Sequence, residues 1–315
     1  LLTHDPDTVG GIETVSLELG KGYGIRWIGA SGFFSILKGF FTALSLRFSK
    51  YDIIHIHDNA GYWCTWLSRN KKLIYTDHGF WKSYFDANRP KNIFEKIGEK
   101  ILVRMQTRRI KKSDVVVPIT SEIMSKLKHE YNLVPHYVIH NGVDTKKFRP
   151  LKNKKEFDYI WVGTNSISKR LDEAKNLANI NGKSLLIVGV DGENSKNIKY
   201  MKSVGRSKMP NIFNMARTFI YFNKQNAYSL ALLEAMACGL NVITNEYILR
   251  ELTSQGTFLG YVVLDGKRKK FVRINGKNSM NLARSKYDWE IIRREYRKLY
   301  HSLLENDMGD VKCQH

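Results

Sequence analysis

Short apolar runs alternate along this chain with longer segments of helical periodicity. Tyr51–His57, Lys72–Thr76, Asp114–Ile119 and His136–Ile139 are rich in Ile and Val and have the length of strands. A second set follows at Asp158–Val162, Ser184–Val188, Thr218–Phe222 and Leu240–Thr244. Apolar strands separated by helix-length segments are the pattern of βαβ units, whose parallel sheet is covered on both faces. The alternation pauses at Asn141–Lys155, a polar stretch holding Pro150 and five lysines, and this predicts a domain boundary. The expected organisation is one α/β domain over 1–150, a second over 151–286, and a closing helix over 287–305. In that helix Trp289, Ile292, Tyr296, Leu299 and Leu303 recur at helical spacing, and Ser285 or Asp288 can cap its start. The tail after Asn306 is polar and expected to fray.

Composition narrows the class. The chain has 315 residues, 43% hydrophobic and 26% charged, which excludes wholesale disorder. Lys and Arg number 51 against 30 Asp and Glu, a formal net charge of +21. Such a balance attracts phosphates, whether of nucleotides, nucleic acids or anionic lipids. Cys64, Cys238 and Cys313 are too few and too scattered for a disulfide framework or a metal site, so a reducing compartment is expected. No uncharged apolar run is long enough to span a membrane, and no secretory leader is read. The chain starts at Leu1 rather than Met, and its natural start is expected upstream. The expected location is cytoplasmic, with peripheral contact to the cytoplasmic membrane face as an option.

Five places have residues suited to chemistry. Gly10-Gly11 precede an apolar helical run; a glycine pair lets backbone approach a phosphate or sugar, or marks a plain strand–helix turn. Thr76-Asp77-His78-Gly79 follow a predicted strand, where ligands of open α/β sheets bind; His78 can bond a sugar hydroxyl or simply be structural. His55 and His57 alternate in the preceding strand and read as structural. Asn141-Gly142-Val143-Asp144 reads as a turn into the linker. Gly163-Thr164 end a strand, and Lys169-Arg170 after them can neutralise a pyrophosphate or be a solvated basic loop. Ser229 is a natural N-cap for the apolar helix from Leu230 to Cys238, with Gly239 as its C′ residue. Glu234 is the single charge of that helix; a buried carboxylate needs either a polar ligand such as a ribose diol or an Arg or Lys partner. The helix start at Ser229 and Leu230 offers free N–H groups to a phosphate.

In this order the five sites resemble the retaining glycosyltransferases of family 4. Leu233-Glu234-Ala235-Met236-Ala237-Cys238-Gly239-Leu240-Asn241-Val242-Ile243 is similar to that family's E-A-M-A-C-G-x-P-V-I signature, and Asn141-Gly142-Val143-Asp144 with Phe148 and Pro150 to its linker. Gly10-Gly11, His55-Ile56-His57 and His78-Gly79 resemble its N-terminal domain. The resemblance implies a GT-B fold of two Rossmann-like domains facing a cleft, with a C-terminal helix that crosses back to the first. It also implies a nucleotide-sugar donor as substrate, no cofactor, no metal, and a glycan or lipid-linked acceptor. Glu234 would hold the donor ribose, and Lys169 the diphosphate. Gly10, Gly11 and Gly163 would line the phosphate approach, with Ser229 and Leu230 at its helix terminus, and His78 would contact the donor sugar. The departing phosphate would help deprotonate the acceptor.

Two positions depart from the family pattern. Its second glutamate, eight residues before Glu234, is Asn226, placed with His78 among the catalytic residues, and its Gly-Arg is Gly163-Thr164, for which Arg170 is a nearby substitute. An amide can bond a sugar hydroxyl but cannot act as a base. These departures motivate an alternative reading, a catalytically degenerate binding subunit. Nucleic-acid binding rests on charge alone, without a recognisable motif. Lys96, Lys100, Arg104 and Arg108 recur every four residues, a positive stripe beside Glu95 and Glu99. With an apolar face of Ile36, Leu37, Phe40, Phe41, Leu44 and Phe48, the stripe suits an anionic membrane surface; the apolar face alone suits packing on the protein's own sheet.

Overall fold

The computed structural model describes residues 2–3, 11–21, 23, 26–27, 33–57, 61–68, 70–87, 89–90, 92–133, 135, 137–166, 169–222, 229–252, 257–264 and 267–305. Gly10, Asn226, Cys313 and the polar tail lie outside these residues. The chain divides into two compact units, Leu1–Asn141 with Ile292–His315, and Gly142–Ile291.

Unit 1 runs β1 (Leu2–Thr3), α1 (Gly11–Leu19), β2 (Arg26–Trp27), α2 (Phe33–Arg47), β3 (Ile53–His57), α3 (Cys64–Leu67), β4 (Lys72–Asp77), α4 (Trp81–Ala87), α5 (Ile93–Lys112), β5 (Val115–Pro118) and α6 (Ser121–Tyr131). Its five strands lie in the order β2-β1-β3-β4-β5 and pair in parallel throughout. The β-branched runs explain the strands: Ile54, Ile56, Ile74, Val116 and Val117 are all buried. Of the predicted strand at 136–139, residue 136 lies outside the described residues, and Tyr137 to Ile139 are not assigned to a strand; the Ile139 amide donates to the Pro118 carbonyl at 3.2 Å.

Unit 2 runs β6 (Phe157–Val162), α7 (Leu171–Ile180), β7 (Leu185–Val188), β8 (Ile198–Met201), α8 (Met209–Asn214), β9 (Ala216–Tyr221), α9 (Leu230–Ala237), β10 (Asn241–Asn245), α10 (Glu246–Leu252), β11 (Thr257–Leu264), β12 (Lys267–Ile274) and α11 (Gly276–Lys286). The sheet order is β11-β12-β10-β9-β6-β7-β8. Its parallel part carries one apolar layer on each face, one with Phe213, Leu232, Met236 and Val242, the other with Trp161, Ala174, Ile187 and Ile220. The antiparallel β11–β12 hairpin, which pairs with β10, extends a sheet that the strand pattern alone read as wholly parallel.

The last helix, α12 (Trp289–Leu304), buries Trp289, Ile292, Tyr296, Leu299 and Leu303, the spacing read from the sequence. Asp288 caps it: its Oδ1 accepts from the Glu290 amide at 2.9 Å, and its Oδ2 accepts from the Thr145 hydroxyl. Asn141-Gly142-Val143-Asp144 is not a simple turn. Val143 bridges Asp288 in parallel, exchanging bonds with the Tyr287 carbonyl and the Trp289 amide. A Cβ on Gly142 would lie 2.5 Å from the Trp289 ring, so this glycine is needed for close approach. The units therefore part at Asn141/Gly142, ahead of the expected 150/151 boundary, because Val143 and Phe148 belong to the core of unit 2.

Gly239 ends α9 with φ +75, and its carbonyl lies 2.1 Å from where a Cβ on Gly276 would sit, at the start of α11. Gly276→Ala forces backbone apart and is expected to destabilise by about 1–3 kcal/mol in a denaturant titration. Gly98→Ala, in an exposed helix with nothing within 4 Å of the added methyl, is expected to stabilise by about 0.5–1 kcal/mol.

Candidate active site

In unit 2 the strand order reverses beside β6: the chain builds β7 and β8 on one side, then β9 and β10 on the other. Loops on either side of such a point diverge, leaving room at the carboxyl ends of the strands for a ligand. Gly163 follows β6 and Gly189 follows β7. Gly189 has φ +96, and a Cβ there would meet the Gly163 carbonyl at 2.5 Å, while the Gly163 amide donates to the Val188 carbonyl at 3.1 Å. Side chains are excluded where these strands end, and the Gly189 amide donates to the Met201 carbonyl at 2.9 Å. The loop beyond folds back so that the Trp161 indole donates to the Lys169 carbonyl at 3.2 Å. Lys169 is partly exposed and Thr164 exposed. Arg170 does not take the place of the missing family arginine: it adopts φ 51 at the start of α7 and ion-pairs with Glu173.

The α9 helix is buried at every position except Ala231. Ser229 is its N-cap residue, in extended conformation as expected, but its side chain makes no capping bond; its amide donates to the Tyr221 hydroxyl at 2.9 Å. Leu230 is buried at the first turn. Glu234 is paired: Arg206 Nη2 donates to its Oε1 at 2.5 Å. Of the two partners expected for this carboxylate, a polar ligand or a cation, the structure supplies the cation. Burial pushes the Glu234 carboxyl up from its ordinary range, while Arg206 and Lys147 pull it down. The Arg206 side chain is 24% exposed against 7% for Glu234, so the pair opens toward solvent on the arginine side.

In unit 1 the carboxyl ends of β3 and β4 bring three histidines together. His57 Nδ1 lies 3.0 Å from His78 Nε2, and the His55 and His57 rings are 4.3 Å apart. His55 bonds the Tyr300 hydroxyl at 2.8 Å and the Thr76 hydroxyl at 2.7 Å, and Thr76 meets the Tyr296 hydroxyl at 3.1 Å. His57 Nε2 is buried without a hydrogen-bond partner. An orphaned lone pair costs less than an orphaned N–H, so His57 carries its proton on Nδ1 and donates it to His78 Nε2. His78 then holds its own proton on Nδ1. Burial depresses all three imidazoles, His78 to about 4, so they are neutral near pH 7. The His78 backbone is fixed from below. Gln106 of α5 donates to Asp77 Oδ1 at 3.1 Å and to the Gly79 carbonyl at 2.8 Å, and accepts from the Trp81 amide at 3.0 Å. Gly79, at φ +145, makes the turn that follows.

Each unit thus places its expected residues at the carboxyl edge of its own sheet: Gly163, Lys169, Ser229, Leu230 and Glu234 in one, His78 in the other. Gly11 opens α1 and is exposed. Two partners escaped the reading of the sequence: Arg206 sits in a polar loop far from Glu234 in the chain, and Gln106 is one polar residue on a charged helix. His57, read as structural, is buried and meets His78. Among the described residues, no group of three or more His, Cys, Asp or Glu could hold a metal ion. Cys64 and Cys238 are buried and unoxidised, their thiols pushed up to about 12.

Two family models match the chain, Glycosyltransferase Family 4 over residues 20–147 and Glycosyl transferases group 1 over residues 145–273. Among solved structures, sucrose-phosphate synthase from Thermosynechococcus elongatus is 15% identical with a TM-score of 0.74, covering 97% of this chain and 99% of that one. AviGT4, a glycosyltransferase involved in avilamycin A biosynthesis, is 15% identical with a TM-score of 0.64, over 96% and 98%. An alpha-glucosyltransferase in complex with UDP-glucose and DNA containing an abasic site is 12% identical with a TM-score of 0.56, over 95% and 93%. These likenesses establish the GT-B fold. No curated protein sequence matches the chain.

The neutral histidines give unit 1 a pH signature. The unfolded chain takes up protons below the ordinary imidazole value of 6.5, while folded His78 stays neutral until about 4. Stability is therefore full above that window and falls as pH drops through it, by about 3 kcal/mol for His78. Urea titrations across the window are expected to show the decline, and His78→Gln to flatten it; an unchanged slope in the variant would assign the decline to other groups.

Proposed function

Since the chain belongs to the family 4 glycosyltransferases, we propose that its glycosyl transfer draws on a nucleoside-diphosphate sugar, retains anomeric configuration, proceeds without a metal ion and delivers to a glycan or lipid-linked acceptor. The observation that carries the donor assignment is the side-chain-free edge where Gly163 and Gly189 touch at the carboxyl ends of β6 and β7. A diphosphate has two features such an edge suits: a bulk that needs room clear of side chains, and charge that a nearby cation offsets. Lys169 is that cation, and the first turn of α9 at Ser229 and Leu230 adds the positive end of a helix.

With Oε1 of Glu234 held by Arg206, Oε2 accepts from the ribose diol. Arg206 orients the carboxylate and opposes the upward pull of burial on it, which offsets part of the cost of that burial. His78, neutral and protonated on Nδ1, donates to a hydroxyl of the transferred sugar or of the acceptor; an imidazolium would compete as an acid. Asn226, in place of the family's glutamate, bonds a sugar hydroxyl through its amide. On departure of the nucleoside diphosphate, its phosphate oxygen takes the acceptor proton as the acceptor oxygen bonds the anomeric carbon from the same face. The UDP-bound alpha-glucosyltransferase among the structural neighbours supports a nucleoside diphosphate as the leaving group.

Calorimetric titration with nucleoside diphosphates tests the reading. At least one base is expected to bind, and Glu234→Gln to weaken that binding about ten- to a hundred-fold, the loss of one charged hydrogen bond. Turnover of the corresponding sugar nucleotide is expected to survive a chelator. Absence of binding by every common nucleoside diphosphate would overturn the donor assignment, and full affinity in Glu234→Gln would remove that residue from it.

A further inference from the structure

The positive stripe on α5 is not what its spacing suggested. Lys96, Lys100 and Arg104 are exposed, but Arg108 turns inward: its guanidinium lies 3.2 Å from the Trp66 ring centre and its Nε donates to the Thr65 hydroxyl at 3.0 Å. The helix is anchored only by its C-terminal half, where Gln106, Arg109 and Ile110 are buried. Its N-terminal half projects with no buried residue, closed by its own cap, Asn92 Oδ1 accepting from the Glu95 amide at 2.9 Å.

That projecting half displays apolar side chains where solvent should meet polar ones. Ile93 is 63% exposed, Phe94 81%, Ile97 49% and Ile101 53%. At about 100° per residue these four share one arc, Lys96 and Lys100 occupy the arc beside it, and Arg104 falls within it one turn beyond Lys100. Glu95 and Glu99 fall on the other side of the helix. Neighbouring elements extend the surface: α3, which touches both α2 and α5, exposes Trp66, and the α2 region exposes Phe41 and Phe48. Of the apolar face read on α2, Leu37, Phe41 and Phe48 are exposed and Phe40 and Leu44 half-buried, while Ala43 and Leu46 make the buried side of the helix. By contrast, among the residues of unit 2 whose side-chain burial is described, Ile180 is the one large apolar residue exposed. Exposed apolar groups concentrated on one set of helices indicate a binding surface rather than ordinary scatter.

We propose that the N-terminal half of α5, with the rims of α2 and α3, docks on an anionic lipid surface. Charge decides the occupant. An apolar row bordered by Lys96, Lys100 and Arg104, in a chain of net charge +21, fits acyl chains below and anionic headgroups beside them. No helix among the described residues is long and apolar enough to cross a membrane, so the contact is interfacial. The apolar row enters the headgroup boundary and the cations stay at its level.

Sedimentation of the full chain with vesicles tests this. The protein is expected to pellet with phosphatidylcholine vesicles containing phosphatidylglycerol, less so with rising salt, and not with phosphatidylcholine alone. The variant F94S/I97S/I101S is expected to lose binding with its charge unchanged. K96Q/K100Q/R104Q is expected to bind about a hundred-fold more weakly. Both should keep the nucleoside diphosphate affinity of the parent, which separates this surface from the donor site. Failure of the parent to bind anionic vesicles, or undiminished binding by F94S/I97S/I101S, would overturn the proposal. So would a dimer that this variant dissociates, which would assign the surface to a second copy of the chain.

Discussion

Parallel strands deliver all their carboxyl ends to one edge, and both units of this protein follow from that constraint. In unit 2 the edge is so tight that Gly189 and Gly163 meet backbone to backbone, a contact no side chain would allow. In unit 1 the same edge gathers His57 from β3 and His78 just beyond β4, strands that are neighbours in the sheet. Cores on both faces of the sheet hold the strands in register, so these ends are positioned by packing rather than by the loops themselves. Chemistry collects at the edge because only there are backbone groups and polar side chains released from the sheet.

The ionisable groups at the two edges are governed by opposite solutions to one problem. Removing a charge from water is costly, and the imidazoles of unit 1 avoid the cost by remaining neutral. Glu234 in unit 2 meets it with a cation, since Arg206 opposes the upward pull of burial. The same pairing alters what Glu234 signifies. A carboxylate alone on an apolar helix demands a partner, but the demand is met within the protein, and any role toward a ribose belongs to the oxygen that Arg206 leaves. A neutral histidine chain and an arginine-held carboxylate suit a transfer in which the leaving phosphate carries the proton chemistry.

Much of this architecture was legible in the sequence. The strands β6, β7, β9 and β10, the α9 helix ended by Gly239 and the buried stripe of α12 follow from periodicity and from a glycine at its C′ position, signals that are local; β8 and the β11–β12 hairpin were not read. What was not legible depended on distance or on competition. Arg206 reaches Glu234 across 28 positions, and no spacing rule connects them. Asn141-Gly142 has the letters of a turn, yet Gly142 serves the Trp289 ring, a contact made with the far end of the chain. Residues 137–139 have a strand's composition, yet beside the edge strand β5 they make a single bond, from the Ile139 amide to the Pro118 carbonyl, and no ladder. Arg108 kept the spacing of the stripe and lost its exposure to Trp66, because a guanidinium stacks on an aromatic face more readily than it stays solvated.

The central claim is that the donor's diphosphate lies at the carboxyl edge of the unit 2 sheet. Amide chemical-shift mapping of the isotopically labelled protein, titrated with UDP and with other nucleoside diphosphates, tests it most directly. The account predicts that the largest changes fall on Gly163, Gly189, Leu230 and Ala231, whose amides border that edge. Changes confined to unit 1, or spread over exposed lysines and abolished by salt, would contradict it.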